Sequence, residues 1–133
     1  MYQVTKEINF CYGHRLLKYA GKCKNFHGHN AKVEIQLSAS KLDDRGMVRD
    51  FIEVKNILHA WIDQRLDHRM ILHEKDPLRS ALEKAGEPLY LLKTNPTAEN
   101  IAKLIYEVAQ QKKLPVTAVT LWETPNSNAT YKK

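Results

Sequence analysis

Apolar residues along this chain first alternate with polar ones, then recur at helical steps, then alternate again. Over residues 2–12 the even positions Tyr2, Val4, Ile8, Phe10 and Tyr12 are apolar, with Lys6 the exception, while Gln3, Thr5, Glu7 and Asn9 occupy the other face. A period of two predicts a half-buried strand. Residues 29–38 alternate more cleanly, with Ala31, Val33, Ile35 and Leu37 on one face and Asn30, Lys32, Glu34, Gln36 and Ser38 on the other, which predicts a second strand. After the turn at Asp43-Asp44-Arg45-Gly46, the residues Phe51, Val54, Ile57, Leu58, Trp61, Ile62 and Leu66 recur at three- and four-residue steps and predict one long helix. Asn95-Pro96-Thr97 supplies the cap and first turn of a second helix carrying Ile101, Leu104, Ile105, Val108 and Ala109. Lys112 and Lys113 suit its negative end, and Leu114-Pro115 stops it. Residues 116–123 alternate again, and after the turn-rich Thr124-Pro125-Asn126-Ser127-Asn128 a short last strand is expected around Ala129 to Tyr131.

The order ββααββ predicts an α+β domain: a four-stranded antiparallel sheet with two helices on one face. Residues 69–94 carry no single period; a short helix over residues 76–84 and a buried or interface strand over residues 89–92 fit within them. The open edges of such a sheet invite partners.

Length is compatible with one domain spanning residues 1–133. No apolar run approaches the roughly 20 residues of a membrane helix. The N-terminal residues enter strand-like alternation without the basic segment and apolar run of a signal peptide, so a cytoplasmic location is expected. Cys11 and Cys23 are too few for a disulfide framework and suit free thiols, a single bridge being the lesser alternative. The formal net charge of +6 favours an anionic partner. Because the longest basic run is a pair, a small phosphorylated molecule is expected rather than nucleic acid.

Candidate chemistry centres on histidine. His27 and His29 share the odd numbering of the core-facing row of the second strand, and His14 shares the even numbering of Ile8, Phe10 and Tyr12. Three imidazoles thus aim at one region and suit zinc with a fourth position open. A lone inward histidine is usually a buried residue bonded to backbone, but three arriving independently are harder to explain that way. His59 and His73 lack partners at ligand spacing and are expected to be structural or surface residues. Cys23 precedes His27 in a short loop with a lysine on either side; such cations favour a thiolate that can act as base or nucleophile. The alternative for Cys23 is a fourth metal ligand, which would make a closed, structural Cys-His₃ site in a non-catalytic module. Cys11 falls on the polar face of its strand and is assigned no role. Asp67-His68 ends the first helix, where a histidine is favoured by the dipole with or without chemistry. Glu123 continues the row of Val119 and Leu121, where a carboxylate needs a partner; an amino-pyrimidinone edge is one candidate and a solvated turn the other.

The segments Phe10-Cys11-Tyr12-Gly13-His14-Arg15-Leu16, Cys23-Lys24-Asn25-Phe26-His27-Gly28-His29-Asn30, Leu66-Asp67-His68 and Pro96-Thr97-Ala98-Glu99-Asn100, with Glu123, resemble the 6-pyruvoyl-tetrahydropterin synthase superfamily over nearly the whole chain. The spacing of Cys23 from His27-Gly28-His29 is similar to the branch making 6-carboxy-5,6,7,8-tetrahydropterin for queuosine and related deazapurines. The resemblance implies a T-fold subunit in a homo-oligomeric ring with active sites at subunit interfaces. It implies zinc on His14, His27 and His29, Cys23 as proton acceptor, Asp67 and His68 as a relay, Glu123 as pterin anchor and Thr97 at the substrate. The implied reaction is lyase cleavage of 7,8-dihydroneopterin triphosphate, with loss of acetaldehyde and triphosphate. The alternative within the superfamily is a 6-pyruvoyl-tetrahydropterin synthase or a related side-chain lyase.

Overall fold

A computed structural model of the chain describes all of residues 1–133. It is α+β, as the periodicities predict, with two long strands, β1 (Tyr2–His14) and β2 (His27–Ala39), paired antiparallel along their full length. Strands β5 (Val116–Thr124) and β6 (Ser127–Lys132) continue the sheet on the β2 side. The sheet differs from the expectation in having six strands, ordered β4-β3-β1-β2-β5-β6, and in being mixed. Both extra strands come from residues 69–94: β3 (Arg69–His73) runs parallel to β1, and β4 (Leu89–Leu92) runs parallel to β3. The strand expected at residues 89–92 is present, whereas β3 gave no alternation because its adjacent residues Ile71 and Leu72 are both fully buried. A strand covered on both faces loses the period of two. Between them lies α3 (Arg79–Lys84), shorter than the helix expected over residues 76–84.

The first long helix is interrupted. Asp50 caps α1 (Phe51–Val54) by accepting from the Ile52 N–H at 2.8 Å, a π-helical turn occupies Lys55–His59, and α2 (Ala60–Arg65) follows. The buried row Val54, Leu58, Ile62, Leu66 advances by strict four-residue steps. On a 3.6-residue helix each such step overshoots one face by about 40°, and a wider turn lets the row stay aimed at the core. The last helix, α4 (Ala98–Gln111), is capped by Thr97, whose hydroxyl accepts from the Asn100 N–H at 3.2 Å.

One cluster of 23 buried residues joins the even row of β1, the odd row of β2, Val119 and Leu121 of β5, and the inner faces of the helices. Apolar burial of this kind is the main favourable contribution to folding. The edge strands β4 and β6 leave backbone groups available for pairing. No helix is long and apolar enough to cross a membrane.

Candidate metal centre

The β1–β2 register builds the centre. His14 lies directly opposite His27, and His29 lies opposite Tyr12, so all three imidazoles occupy core-facing positions at one end of the pair. Their ring centroids are 4.4, 5.1 and 5.2 Å apart, and one nitrogen from each falls within 4.8 Å of the others. The His14 Nδ1–H donates to the Pro96 carbonyl at 2.6 Å, and the His27 Nδ1–H donates to the Asn25 carbonyl at 2.8 Å. Because a carbonyl only accepts, each bond fixes the tautomer and leaves Nε2 as a bare ligand atom. The His14 and His29 Nε2 atoms stand 3.2 Å apart. A tetrahedral ion with bonds of about 2.0–2.1 Å separates its nitrogens by roughly 3.3–3.4 Å, so a metal fits with little movement. Burial pushes His14 below the ordinary imidazole range, against the Pro96 carbonyl and the Glu123 carboxylate, which favour a proton. The neutral ring is the form that ligates.

Gly28 explains the His-Gly-His sequence. It pairs with Gly13 between the ligand positions, and a Cβ added to it would approach the Tyr12 carbonyl oxygen to 3.0 Å. A Cβ at Gly13 would instead meet the flexible end of Met70 at 2.8 Å, which can move aside. Gly28→Ala is therefore expected to spread the strands between His27 and His29 and weaken metal binding by about 10-fold or more, as when the groups that orient ligands are disturbed. Competition against a chromogenic chelator measures this; an unchanged affinity would remove the close approach as a constraint.

Glu123, placed on a core-facing row by its parity, does point inward. Its Oε2 accepts from the Tyr12 hydroxyl at 2.8 Å and lies 3.0 Å from His29 Nε2 and 3.4 Å from His14 Nε2. Burial and the neighbouring carboxylate push the Tyr12 phenol well above its usual range, which keeps it a donor. Oε1 makes no hydrogen bond within the chain, so one edge of the carboxylate is held and the other is free.

Cys23 sits in a 3₁₀ turn (Lys22–Lys24), with its carbonyl accepting from the Leu16 N–H at 2.8 Å; its sulfur is not part of the histidine cluster. Asp67 and His68 form a second cluster with Cys11. The Asp67 Oδ1 accepts from the Cys11 N–H at 2.9 Å, and Oδ2 accepts from His68 Nδ1 at 2.8 Å. Burial raises the Asp67 carboxyl, but the Cys11 and His68 donors outweigh it and hold the group below the usual carboxylate range. His68 has φ +59°, a left-handed backbone that costs a non-glycine residue on the order of 1–3 kcal/mol. That kink turns the chain from α2 into β3 and leaves the imidazole exposed. A cleft of about 540 Å³ borders His27, His29 and His68, so the two clusters adjoin without touching. Thr97 is placed as the α4 cap. His59 pairs loosely with Asp63 at 3.6 Å, and His73 Nδ1 accepts from the Lys75 N–H at 3.0 Å.

Two contacts around the centre had no signal in the periodicities. The Arg15 guanidinium meets both oxygens of buried Asp76 at 2.7 Å, and the Asn95 side chain bonds the Leu17 N–H at 2.9 Å and the Leu17 carbonyl at 2.8 Å. Both partners of each contact are far apart in sequence, where no local pattern links them.

Residues 3–133 match the family model described as 6-pyruvoyl tetrahydropterin synthase. The chain is 38% identical over 133 residues to the 6-carboxy-5,6,7,8-tetrahydropterin synthase of Rickettsia bellii (strain RML369-C), covering 95% of this chain and 96% of that one. It is 29% identical over 141 residues to the enzyme of the same name from Haemophilus influenzae, with 100% of both chains covered. Among solved structures, an uncharacterized Wolinella succinogenes protein superposes with a TM-score of 0.81 at 28% identity, over 99% of this chain and 98% of that one. The Caenorhabditis elegans 6-pyruvoyl tetrahydropterin synthase does so with a TM-score of 0.74 at 26% identity, over 99% and 95%. Likeness of this extent makes the chain a member of the 6-pyruvoyl tetrahydropterin synthase family.

Proposed function

We propose that this chain is a zinc-dependent carbon–carbon lyase that converts 7,8-dihydroneopterin triphosphate to 6-carboxy-5,6,7,8-tetrahydropterin, releasing acetaldehyde and triphosphate, in the supply of queuosine or related deazapurines. The observation that carries the proposal is the three-histidine centre at the β1–β2 end, in a chain 38% identical to relatives bearing the 6-carboxy-tetrahydropterin synthase name. Cys23 lies outside that cluster, which favours an open, catalytic metal position over a closed Cys-His₃ site.

In this mechanism His14, His27 and His29 hold the ion. Zinc held by them would supply positive charge beside the substrate and so would favour loss of a carbon-bound proton. Cys23 takes that proton as a thiolate. Asp67, kept ionised by its donors, orients His68 through Nδ1 and leaves Nε2 to carry a proton to or from solvent. Tyr12 steadies one oxygen of Glu123, and the free Oε1 accepts from the amino-pyrimidinone edge of the pterin. Thr97, which caps α4, also contacts the substrate in this proposal. The chain works as one domain, residues 1–133, in the cytoplasm. It is proposed to assemble as a homo-oligomer, because the β4 and β6 edges are open and the Asp67–His68 pair stands apart from the ion site, so that a neighbouring copy completes the constellation.

The test is product analysis on metal-loaded protein whose mass is measured by light scattering on the same fractions. The expected result is carboxy-pterin and acetaldehyde from fractions at a multiple of the 15.4 kDa chain mass. A pyruvoyl product would assign the chain to the sister activity. A metal-loaded protein without turnover would overturn the lyase proposal, and a fully active monomer would overturn the interface site.

A further inference from the structure

Apart from the tyrosines, two buried residues of this fold carry polar side chains: His14, a candidate metal ligand, and Asp76, which has no such role. A buried carboxylate is costly unless both of its oxygens find donors. Asp76 meets that condition. Its Oδ2 accepts from Arg15 Nε and its Oδ1 from an Arg15 terminal nitrogen, both at 2.7 Å, and Oδ1 also accepts from the Leu78 N–H at 2.8 Å. Asp76 is itself fixed in the turn after β3, where its N–H donates to the His73 carbonyl at 2.9 Å.

The partner, Arg15, directly follows His14. Its other terminal nitrogen faces the Lys24 carbonyl at 3.5 Å, and its guanidinium carbon lies 5.5 Å from the centre of the Phe26 ring. The next residue, Leu16, donates its N–H to the Cys23 carbonyl at 2.8 Å. Cys23 and the residues after it, Lys24 and Phe26, thus meet residues 15 and 16, and Arg15 is in turn attached to the β3 turn through Asp76. A planar guanidinium forked onto a carboxylate fixes orientation as well as distance, which a lysine cannot do.

We infer that Arg15 and Asp76 are positioning residues: their forked pair sets where the Cys23 loop stands relative to the histidine centre. The inference adds two residues to the reaction proposed above and rests on it for its kinetic consequence, but its geometric content is independent of any substrate. A displacement of about 1 Å in a reacting group can cost on the order of 10²-fold in rate without altering ground-state binding.

Three variants test this in the metal-loaded protein: Asp76→Asn, Arg15→Lys and the two combined. Asp76 is buried, so Asp76→Asn can destabilise the fold; Arg15 reaches solvent, so Arg15→Lys provides a second variant. The first readout is the alkylation rate of Cys23 by iodoacetamide, followed peptide by peptide with Cys11 as internal reference. It requires no substrate, so it stands even if the proposed reaction fails. The expected result is one metal per chain in every variant, a change of at least about 5-fold in Cys23 alkylation relative to Cys11, and a fall in kcat of about 10–100-fold with KM little changed. The combined variant should be no worse than the more impaired single one, as for residues acting as a unit. Variants that bind metal, melt at lower temperature, and keep Cys23 alkylation and kcat within 2-fold of wild type would overturn the inference and leave the pair a stabilising contact only. Changed alkylation with unaltered kcat in an active enzyme would overturn the positioning role.

Discussion

Cys23→Ala is expected to leave metal content and melting temperature close to wild type while carboxy-pterin formation falls about 10²–10⁴-fold, the usual contribution of a general acid–base group. The loop geometry makes this a clean separation. Cys23 is held by its backbone carbonyl, which the substitution retains, and its sulfur is outside the set of nitrogens that would grip the ion. Nothing in the core depends on the thiol, because the 3₁₀ turn contains no buried residue. Metal stoichiometry, thermal melting and product formation on one preparation decide the matter. Loss of metal together with loss of fold would show the thiol to be a ligand, since structural metal affinity is folding free energy. Unchanged turnover would take Cys23 out of the mechanism.

His14→Ala is expected to be the more damaging of the histidine substitutions, losing the metal and the fold's stability together. The ring is 3% exposed, so its removal leaves a void, and it strips the Pro96 carbonyl of its donor. An orphaned buried acceptor costs about 1–3 kcal/mol before the void is counted. His27→Ala should also lose the metal, but its bond to the Asn25 carbonyl lies in an exposed loop, and the drop in melting temperature should be smaller. Equal melting temperatures for the two variants would contradict the ranking. The same burial sets a pH dependence for metal-free protein. His14 titrates below its ordinary value when folded, so the unfolded chain binds more protons in the window between the two values. Stability is retained above about pH 6.5 and is lost as pH falls towards the folded value. His14→Ala should flatten that part of the profile.

The three candidate ligands were legible because each sits on a strand whose parity is unambiguous, and parity fixes direction. Glu123 was legible for the same reason. Cys11 lies on the polar face of β1, as its parity predicts, and from there it meets Asp67 and His68, a neighbourhood that parity does not report. Strand β3 escaped because burial of both Ile71 and Leu72 removes alternation. The π turn escaped because a four-residue row looks helical whether or not the turn is widened. Arg15 and Asp76 are 61 residues apart, and only the parallel approach of β3 to β1 brings them together. Sequence patterns report which way a side chain faces within its own element. They do not report which distant element it will meet there.

The strand register also bears on how this chain acquires its shape. All three candidate metal nitrogens come from residues 14–29, one antiparallel pair joined through residues 15–26, whereas Pro96, Asp67 and Glu123 arrive from elements much farther along. Pairing sequence neighbours carries a smaller entropic cost than assembling a mixed sheet, whose parallel strands need distant segments to meet. An ion held by these three histidines would therefore stabilise the β1–β2 pair by contacts that the rest of the chain is not needed to supply. A metal bound before the rest of the chain has packed would act on folding as well as on the finished site, and refolding of the protein with and without added zinc, followed by stopped flow, measures the difference.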